Sequence, residues 1–221
     1  MLNQPTIIGS DDHIAAINKP SGLVMHATDA GDNQPTLIDY IKDLTSDDDD
    51  LRPGIVHRLD KNTSGVVIVA RSKDVKLHLQ EQFKQRVVKK RYIAAVRGLI
   101  DPQKARLDLP IARHAKDPTR RAVRPNGKRS ITEYSTIEQK ENMSLLDVRP
   151  LTGRMHQIRV HMSYLGYPVV GDSLYGREDS RLDRHFLHAQ SIELTHPATK
   201  ETVRYSAELA DELNDFWYNQ A

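Results

Sequence analysis

The densest polar stretch in the sequence is Pro53-Gly54-Ile55-Val56-His57-Arg58-Leu59-Asp60-Lys61-Asn62-Thr63-Ser64-Gly65. It sets one carboxylate, Asp60, between the cations Arg58 and Lys61, then supplies Thr63, Ser64 and Gly65, residue types that turn a chain sharply. The chemistry on offer is that of a single carboxylate with a positive neighbour. Directly behind it comes Val66-Val67-Ile68-Val69-Ala70, a continuous β-branched run that predicts a strand buried on both faces. A polar loop anchored to a stiff core element is a good place for catalytic groups. On local physics alone, an ordinary ion-paired turn remains an equal reading.

Other chemistries find less support. His-Arg-Leu-Asp looks like a kinase catalytic loop, but the order differs from His-Arg-Asp, and neither a glycine-rich loop upstream nor Asp-Phe-Gly downstream is present. There is no Gly-x-x-x-x-Gly-Lys-Ser/Thr loop and no Gly-x-Gly-x-x-Gly fingerprint, so no nucleotide cofactor is expected. With no cysteine, disulfide scaffolds, thiol nucleophiles and zinc ribbons are excluded. His156, His161, His185 and His188 lack a carboxylate that would complete a metal set, and hydrogen-bonded structural histidines are expected instead. The acidic run Asp47-Asp48-Asp49-Asp50 lacks the alternating spacing of a calcium loop and is expected to be a solvated loop.

The elements that must position these groups follow from pattern. Thr6–Ile8 and His13–Asn18 predict strands, closed by the turn signal Lys19-Pro20-Ser21-Gly22. Thr36–Leu44 has helical spacing. Ser72 caps an expected helix from Lys73 to about Arg86, with Val75, Leu79 and Phe83 on one face. Arg91–Val96 reads as a strand; Ile131–Ile137 and Ser144–Val148 read as two more, joined by a polar turn. His156–Leu165 predicts a helix stopped by Gly166 and Pro168. A late hairpin (Ile192–Leu194 with Val203–Tyr205) and a terminal helix (Ala207–Trp217) complete the set. Strands and helices are interspersed without regular alternation, which predicts an α+β fold with a mixed, largely antiparallel central sheet flanked by helices and loops, in a single domain over 1–221.

The 221 residues are 38% hydrophobic and 28% charged, a soluble balance, and the formal charge is only +2. That charge is unevenly placed. Residues 113–129 hold seven basic side chains (Arg113, Lys116, Arg120, Arg121, Arg124, Lys128, Arg129) against one acid, Asp117. Lys84, Arg86, Lys89, Lys90 and Arg91 form a second cluster. Both read as anion-binding clusters or as solvated basic loops. No apolar run approaches the roughly 20 residues of a membrane span, and no basic n-region opens the chain; a cytoplasmic protein with no membrane partner is expected.

His57-Arg58-Leu59-Asp60-Lys61-Asn62-Thr63-Ser64-Gly65 resembles the signature of the RluA-type pseudouridine synthases, RNA pseudouridylate synthases, in every defining position. Asn18-Lys19-Pro20-Ser21-Gly22 is similar to that family's upstream Lys-Pro motif, Lys89-Lys90-Arg91-Tyr92-Ile93-Ala94 to its tyrosine-bearing strand, and Leu151-Thr152-Gly153-Arg154-Met155-His156-Gln157-Ile158-Arg159-Val160-His161 to its arginine motif. Their order fits, and the resemblance runs from about Ile7 to Ala207. Met155 stands where such enzymes often carry a small hydroxyl residue. The few residues before the first expected strand leave no room for the S4 RNA-binding domain of many relatives.

The resemblance implies an isomerase that converts uridine in RNA to pseudouridine without cofactor or metal. It makes Asp60 the catalytic carboxylate, Arg154 its paired cation and Tyr92 the ring that stacks on uracil, these three being the expected catalytic residues. A paired cation keeps a carboxylate ionised when it is desolvated. Arg58 would fill the space left by the everted nucleotide, which lysine would do poorly, and Ile158 would wall the base or simply pack in the core. Arg113, Arg120, Arg121, Arg124, Lys128 and Arg129 would bind RNA. The expected target is large-subunit ribosomal RNA, because Asp108-Leu109-Pro110-Ile111-Ala112-Arg113-His114 resembles members acting there; transfer RNA, or both, is the alternative. A rival of another class is a non-catalytic RNA-binding or ribosome-assembly factor, and a third is a nucleoside or base hydrolase.

Overall fold

In the computed structural model, residues 4–26, 34–49 and 52–219 are described. They follow the expected order of elements closely. Strand β1 (Thr6–Ser10) pairs antiparallel with β2 (Ile14–Lys19), and β2 pairs antiparallel with β3 (Ser64–Ala70) in the register Ile14↔Ala70 to Lys19↔Gly65. Every residue of β3 is buried, as its β-branched run requires. Between β2 and β3, helix α1 (Leu37–Ile41) starts at a capping box in which Asp39 bonds back to Thr36, then tightens into a 3-10 turn over Lys42–Leu44.

Helix α2 (Lys73–Gln85) opens where Ser72 accepts the N–H of Val75 and ends at Arg86 in the left-handed conformation. Its buried Val75 and Leu79 join Ile14, Ile68, Ile192 and Leu194 in one apolar cluster. Burial of a side chain such as Leu79 contributes roughly 2 kcal/mol.

Beyond α2 come β4 (Lys89–Arg97), β5 (Lys104–Asp108), β6 (Ile111–Arg113), β7 (Arg121–Val123), β8 (Ile131–Lys140) and β9 (Met143–Pro150). β4 pairs antiparallel with β9, β9 with β8, and β8 with β5. A bulge at Ile137 carries β8 three residues past the expected end. Helix α3 (Gln157–Tyr164) follows, then β10 (Leu187–Thr195), β11 (Thr202–Ser206) and α4 (Asp211–Tyr218). The class is thus the expected α+β with a largely antiparallel central sheet.

The chain divides into two compact units, Met1–Lys89 with Ala189–Glu208, and Lys90–His188 with Leu209–Ala221. The first is built on β1, β2, β3, the antiparallel β10–β11 pair and α2. In the second, Ile93, Val96, Leu146 and Val148 of the strands pack with Ile158 and Met162 of α3 and with Leu213, Phe216 and Trp217 of α4.

Three expectations need correction. The acidic run is a loop with Asp48 and Asp49 exposed, but it is not solvated throughout: Asp47 is 8% exposed, accepts the N–H of Gly54 at 2.8 Å and the ammonium of Lys76 at 2.6 Å, while Asp49 takes the same ammonium at 2.7 Å. A buried lysine on α2 offsets the repulsion of adjacent carboxylates; Asp50 lies outside the described residues. The terminal helix begins at Asp211 rather than Ala207, because Ala207 continues the ladder, donating to the Gln190 carbonyl at 3.0 Å. Finally, β5, whose Lys104-Ala105-Arg106-Leu107-Asp108 alternates polar and apolar, is not among the expected strands, and β6 and β7 make the segment 113–129 a hairpin where a loop or an irregular hairpin is expected.

Candidate active site

In the first unit, Asp60 sits on a loop held from both ends. His57 begins it. Its Nε2 accepts the backbone N–H of Ile68 at 2.9 Å, and its ring stacks on Phe83 with centroids 4.9 Å apart. The histidine of the signature therefore takes a ladder position beside β3. Leu59, 4% exposed, sinks into the core, leaving Arg58 exposed and Asp60 half-buried on either side. Thr63 donates its N–H to the Asp60 carbonyl at 3.0 Å, closing a tight turn.

The far end is gripped by Lys19. This lysine ends β2 with no exposed surface, and its ammonium donates to the carbonyls of Pro20 at 2.8 Å, Leu23 at 2.9 Å and Lys61 at 3.0 Å. Gly22 donates to the Lys61 carbonyl as well, at 2.9 Å. The chain then enters β3 through Gly65 at φ 110°, where a Cβ would stand 2.2 Å from the Ala189 carbonyl oxygen. Only glycine fits there.

In the second unit, Tyr92 lies on β4 opposite Val148, half-buried against the main core cluster. Ile158, 5% exposed, belongs to that same cluster and so packs in the core of the unit. Arg154 lies one helical turn before Ile158, on the segment that leads into α3. That segment is fixed by Gln157, whose Oε1 accepts from the Arg154 N–H at 3.0 Å and the Thr152 hydroxyl at 2.7 Å, while its Nε2 donates to the Ile131 carbonyl at 2.9 Å. Thr152 Oγ1 also accepts the Ile131 N–H at 2.9 Å. His156, just ahead of α3, is left-handed at φ 57°, a conformation that costs a non-glycine residue energy and tends to cluster at functional segments. Arg154 is half-buried, and its Nε has no hydrogen-bond partner among the described residues. A desolvated guanidinium nitrogen of that kind is open to an anion.

The basic segment 113–129 is the hairpin β6–β7 plus the loop after it. Its six expected RNA contacts separate into two groups. Arg121 folds back on its own hairpin, donating to the carbonyls of Pro118 and Arg120 and to the Met155 sulfur at 2.9 Å. Arg120 lies over the Tyr175 ring at 5.4 Å, and Arg129 pairs with Asp108 at 2.7 Å. Arg113, Arg124 and Lys128 are exposed. Tyr175 ties the hairpin to α3: its hydroxyl accepts the Arg121 N–H at 2.7 Å and lies 2.8 Å from His156 Nδ1.

Beneath Tyr175 runs a buried ion pair, Arg159 to Asp172 at 2.7 Å. Burial pushes the Asp172 carboxyl up, yet the hydrogen bonds and charge of Arg159 prevail and hold it below the usual range. His161, fully buried, bonds Thr132 Oγ1 at 2.9 Å and the Leu109 carbonyl at 3.0 Å. Sequence reasoning did not find the positioning roles of Gln157, Tyr175 and Asp172. For Lys19 the available signals were its place in the Lys-Pro motif and its position at the end of an apolar strand.

The first unit thus carries a clamped aspartate loop, and the second an arginine segment that leads into α3 and a half-buried strand tyrosine. Residues 13–164 match the family model described as RNA pseudouridylate synthase, a span that includes Asp60, Tyr92, Arg154 and Ile158. An uncharacterised RNA pseudouridine synthase of Mycobacterium bovis is 41% identical over 94% of this chain and 71% of its own length. The ribosomal large subunit pseudouridine synthase D of Nitrosomonas europaea is 38% identical over 94% of this chain and 62% of its own. Human RNA pseudouridylate synthase domain containing 1 superposes with a TM-score of 0.76 at 27% identity, covering 92% of this chain and 83% of that one. The chain belongs to the RNA pseudouridylate synthase family, isomerases that act on uridine in RNA.

Proposed function

We propose that this enzyme forms pseudouridine in structured RNA, with large-subunit ribosomal RNA as its target and Asp60 as the catalytic carboxylate acting on an everted uridine. The observation that carries the reading is the double clamp on the Asp60 loop. Lys19, fully buried, and His57, half-buried, spend their side-chain hydrogen bonds on backbone groups that fix the loop carrying the half-buried Asp60, and such preorganisation serves a reacting group better than it serves a surface turn. The isomerisation breaks the N1–C1′ bond and joins C5 to C1′, while the C5 proton is lost and N1 gains one. Nothing is oxidised and no group leaves, so a carboxylate, a cation and a platform for the turning base suffice. Arg154, whose Nε has no hydrogen-bond partner among the described residues, is the cation of this reading. Tyr92 supplies the platform, because a ring seated in a sheet is rigid, and the exposed Arg58 fills the space vacated by the uridine.

Support for the ribosomal target comes from relatives named ribosomal large subunit pseudouridine synthase D in Nitrosomonas europaea and Xanthomonas campestris, each matched over 94% of this chain. The test is tritium release from RNA carrying 5-tritiated uridine. Wild type releases label; Asp60→Asn and Asp60→Ala, folded by circular dichroism, release none. Turnover by either variant overturns the assignment. Mapping pseudouridine in ribosomal and transfer RNA from cells with and without the gene decides the target. Loss of sites from transfer RNA alone overturns the ribosomal reading.

A further inference from the structure

Lys90 and Tyr92 are two residues apart on β4, so both side chains leave the strand on one face. The Lys90 ammonium donates to the Thr152 carbonyl at 3.1 Å, and a Cβ on Gly153 would stand 3.8 Å from it. It thus lies against the short segment that carries Arg154. The side chain of Thr152 and the N–H of Arg154 are already held by Gln157 and Ile131. The Arg154 carbonyl accepts the Gln157 N–H at 3.1 Å, and the Thr152 carbonyl is a further handle on that segment, which Lys90 takes.

No carboxylate pairs with Lys90 among the described residues. Arg91, its neighbour on β4, and Arg149 on β9 both bond to Asp147. Besides those three, the titratable and charged side chains of the elements around it are Lys89, Tyr92 and Arg97 on β4 itself, with Lys89 paired to Glu193 and Arg97 to Asp179, and Arg154 and His156 on the adjoining segment. Burial without a counter-ion lowers Lys90 to about 8.

We propose that Lys90 is a positioning residue, whose ammonium anchors the arginine segment to β4 and keeps Arg154 in fixed relation to Tyr92. The proposal rests on the reading of Tyr92 and Arg154 given above. A charge-assisted donor is stronger than a neutral amine, so the anchor weakens as Lys90 loses its proton. Small displacements of a catalytic group cost large factors in rate.

The experiment is steady-state tritium release by the full chain between pH 6.5 and 9. Lys90→Met is expected to lower kcat by about tenfold or more with KM for RNA nearly unchanged. Lys90→Arg is expected to restore most of that loss and to remove the decline of wild type above about pH 8, since a guanidinium stays charged. Should Lys90→Met fail to fold, the Lys90→Arg profile decides alone. A Lys90→Met enzyme with wild-type kcat, or a Lys90→Arg profile superimposable on wild type, overturns the inference. Tyr92→Phe and Arg154→Met run beside them. If those two lose activity while Lys90→Met does not, Lys90 alone is misassigned; if they keep wild-type activity, the site reading falls and the Lys90 inference with it.

Discussion

The ammonium of Lys19 donates to the backbone carbonyl of Lys61 at 3.0 Å, joining the end of β2 to the residue after Asp60. Two further carbonyls share the same ammonium, and all of it is withdrawn from water. A buried cation satisfied by backbone oxygens has no substitute among apolar side chains. Lys19→Met keeps the length and volume but leaves those carbonyls without their donor, at roughly 1–3 kcal/mol for each left unsatisfied. A loss of about 3 kcal/mol in urea unfolding is expected, together with a fall in tritium release. A variant as stable as wild type sinks the clamp.

The Arg159–Asp172 pair makes a sharper stability test. Both side chains are nearly or fully buried, and Asp172 also accepts the N–H groups of Leu174 and Tyr175 at 3.1 and 3.2 Å. Asp172→Ala strands the guanidinium in the core, and breaking such a pair costs about 3–5 kcal/mol. Arg159→Met with Asp172→Leu removes both charges, so the double variant should be more stable than Asp172→Ala in the same denaturant series.

His161 sets a pH dependence. Burial holds its pKa below the ordinary histidine value, with weaker opposing pulls from the Leu109 carbonyl and Asp108. The unfolded chain then binds a proton more readily than the folded one, so this contribution to stability is complete above about pH 6.5 and shrinks as the pH falls. Unfolding free energy measured at pH 7.5 and 5.5 should drop by up to about 1.4 kcal/mol per unit for this one group. His161→Gln should flatten the drop. A protein that gains stability over that interval contradicts the assignment.

Elements that declare themselves by period were legible beforehand. The β-branched run of β3 and the one-face spacing of α2 behind Ser72 needed no tertiary information, because burial and capping are local consequences of residue type. The signature around Asp60 was legible for a different reason, its resemblance to a family. What stayed hidden depended on partners far along the chain. Asp47 looks solvated until Lys76, 29 positions later, is placed against it. Lys19 and Lys90 work through backbone carbonyls, which every residue carries and no sequence marks. The short strands β6 and β7 hold three residues each, too few for alternation to show, and the prolines and glycine around them left a loop and an irregular hairpin equally open.

That hairpin separates two kinds of arginine, and salt tells them apart. Arg113, Arg124 and Lys128 are exposed, whereas Arg129 is engaged by Asp108 through three contacts between 2.7 and 3.2 Å. A side chain that neutralises a phosphate releases counterions, and each such contact contributes about 0.7–0.9 to the slope of log affinity against log salt. Replacing Arg113, Arg124 and Lys128 with glutamine should therefore flatten the slope by roughly two units, while Arg129→Gln should change it much less, since Arg129 must first give up Asp108. Tyr175→Phe removes the hydroxyl that holds the Arg121 N–H but no charge. It should weaken RNA binding at every salt concentration without altering the slope. Equal slopes for wild type and the triple variant would place the RNA elsewhere on the molecule.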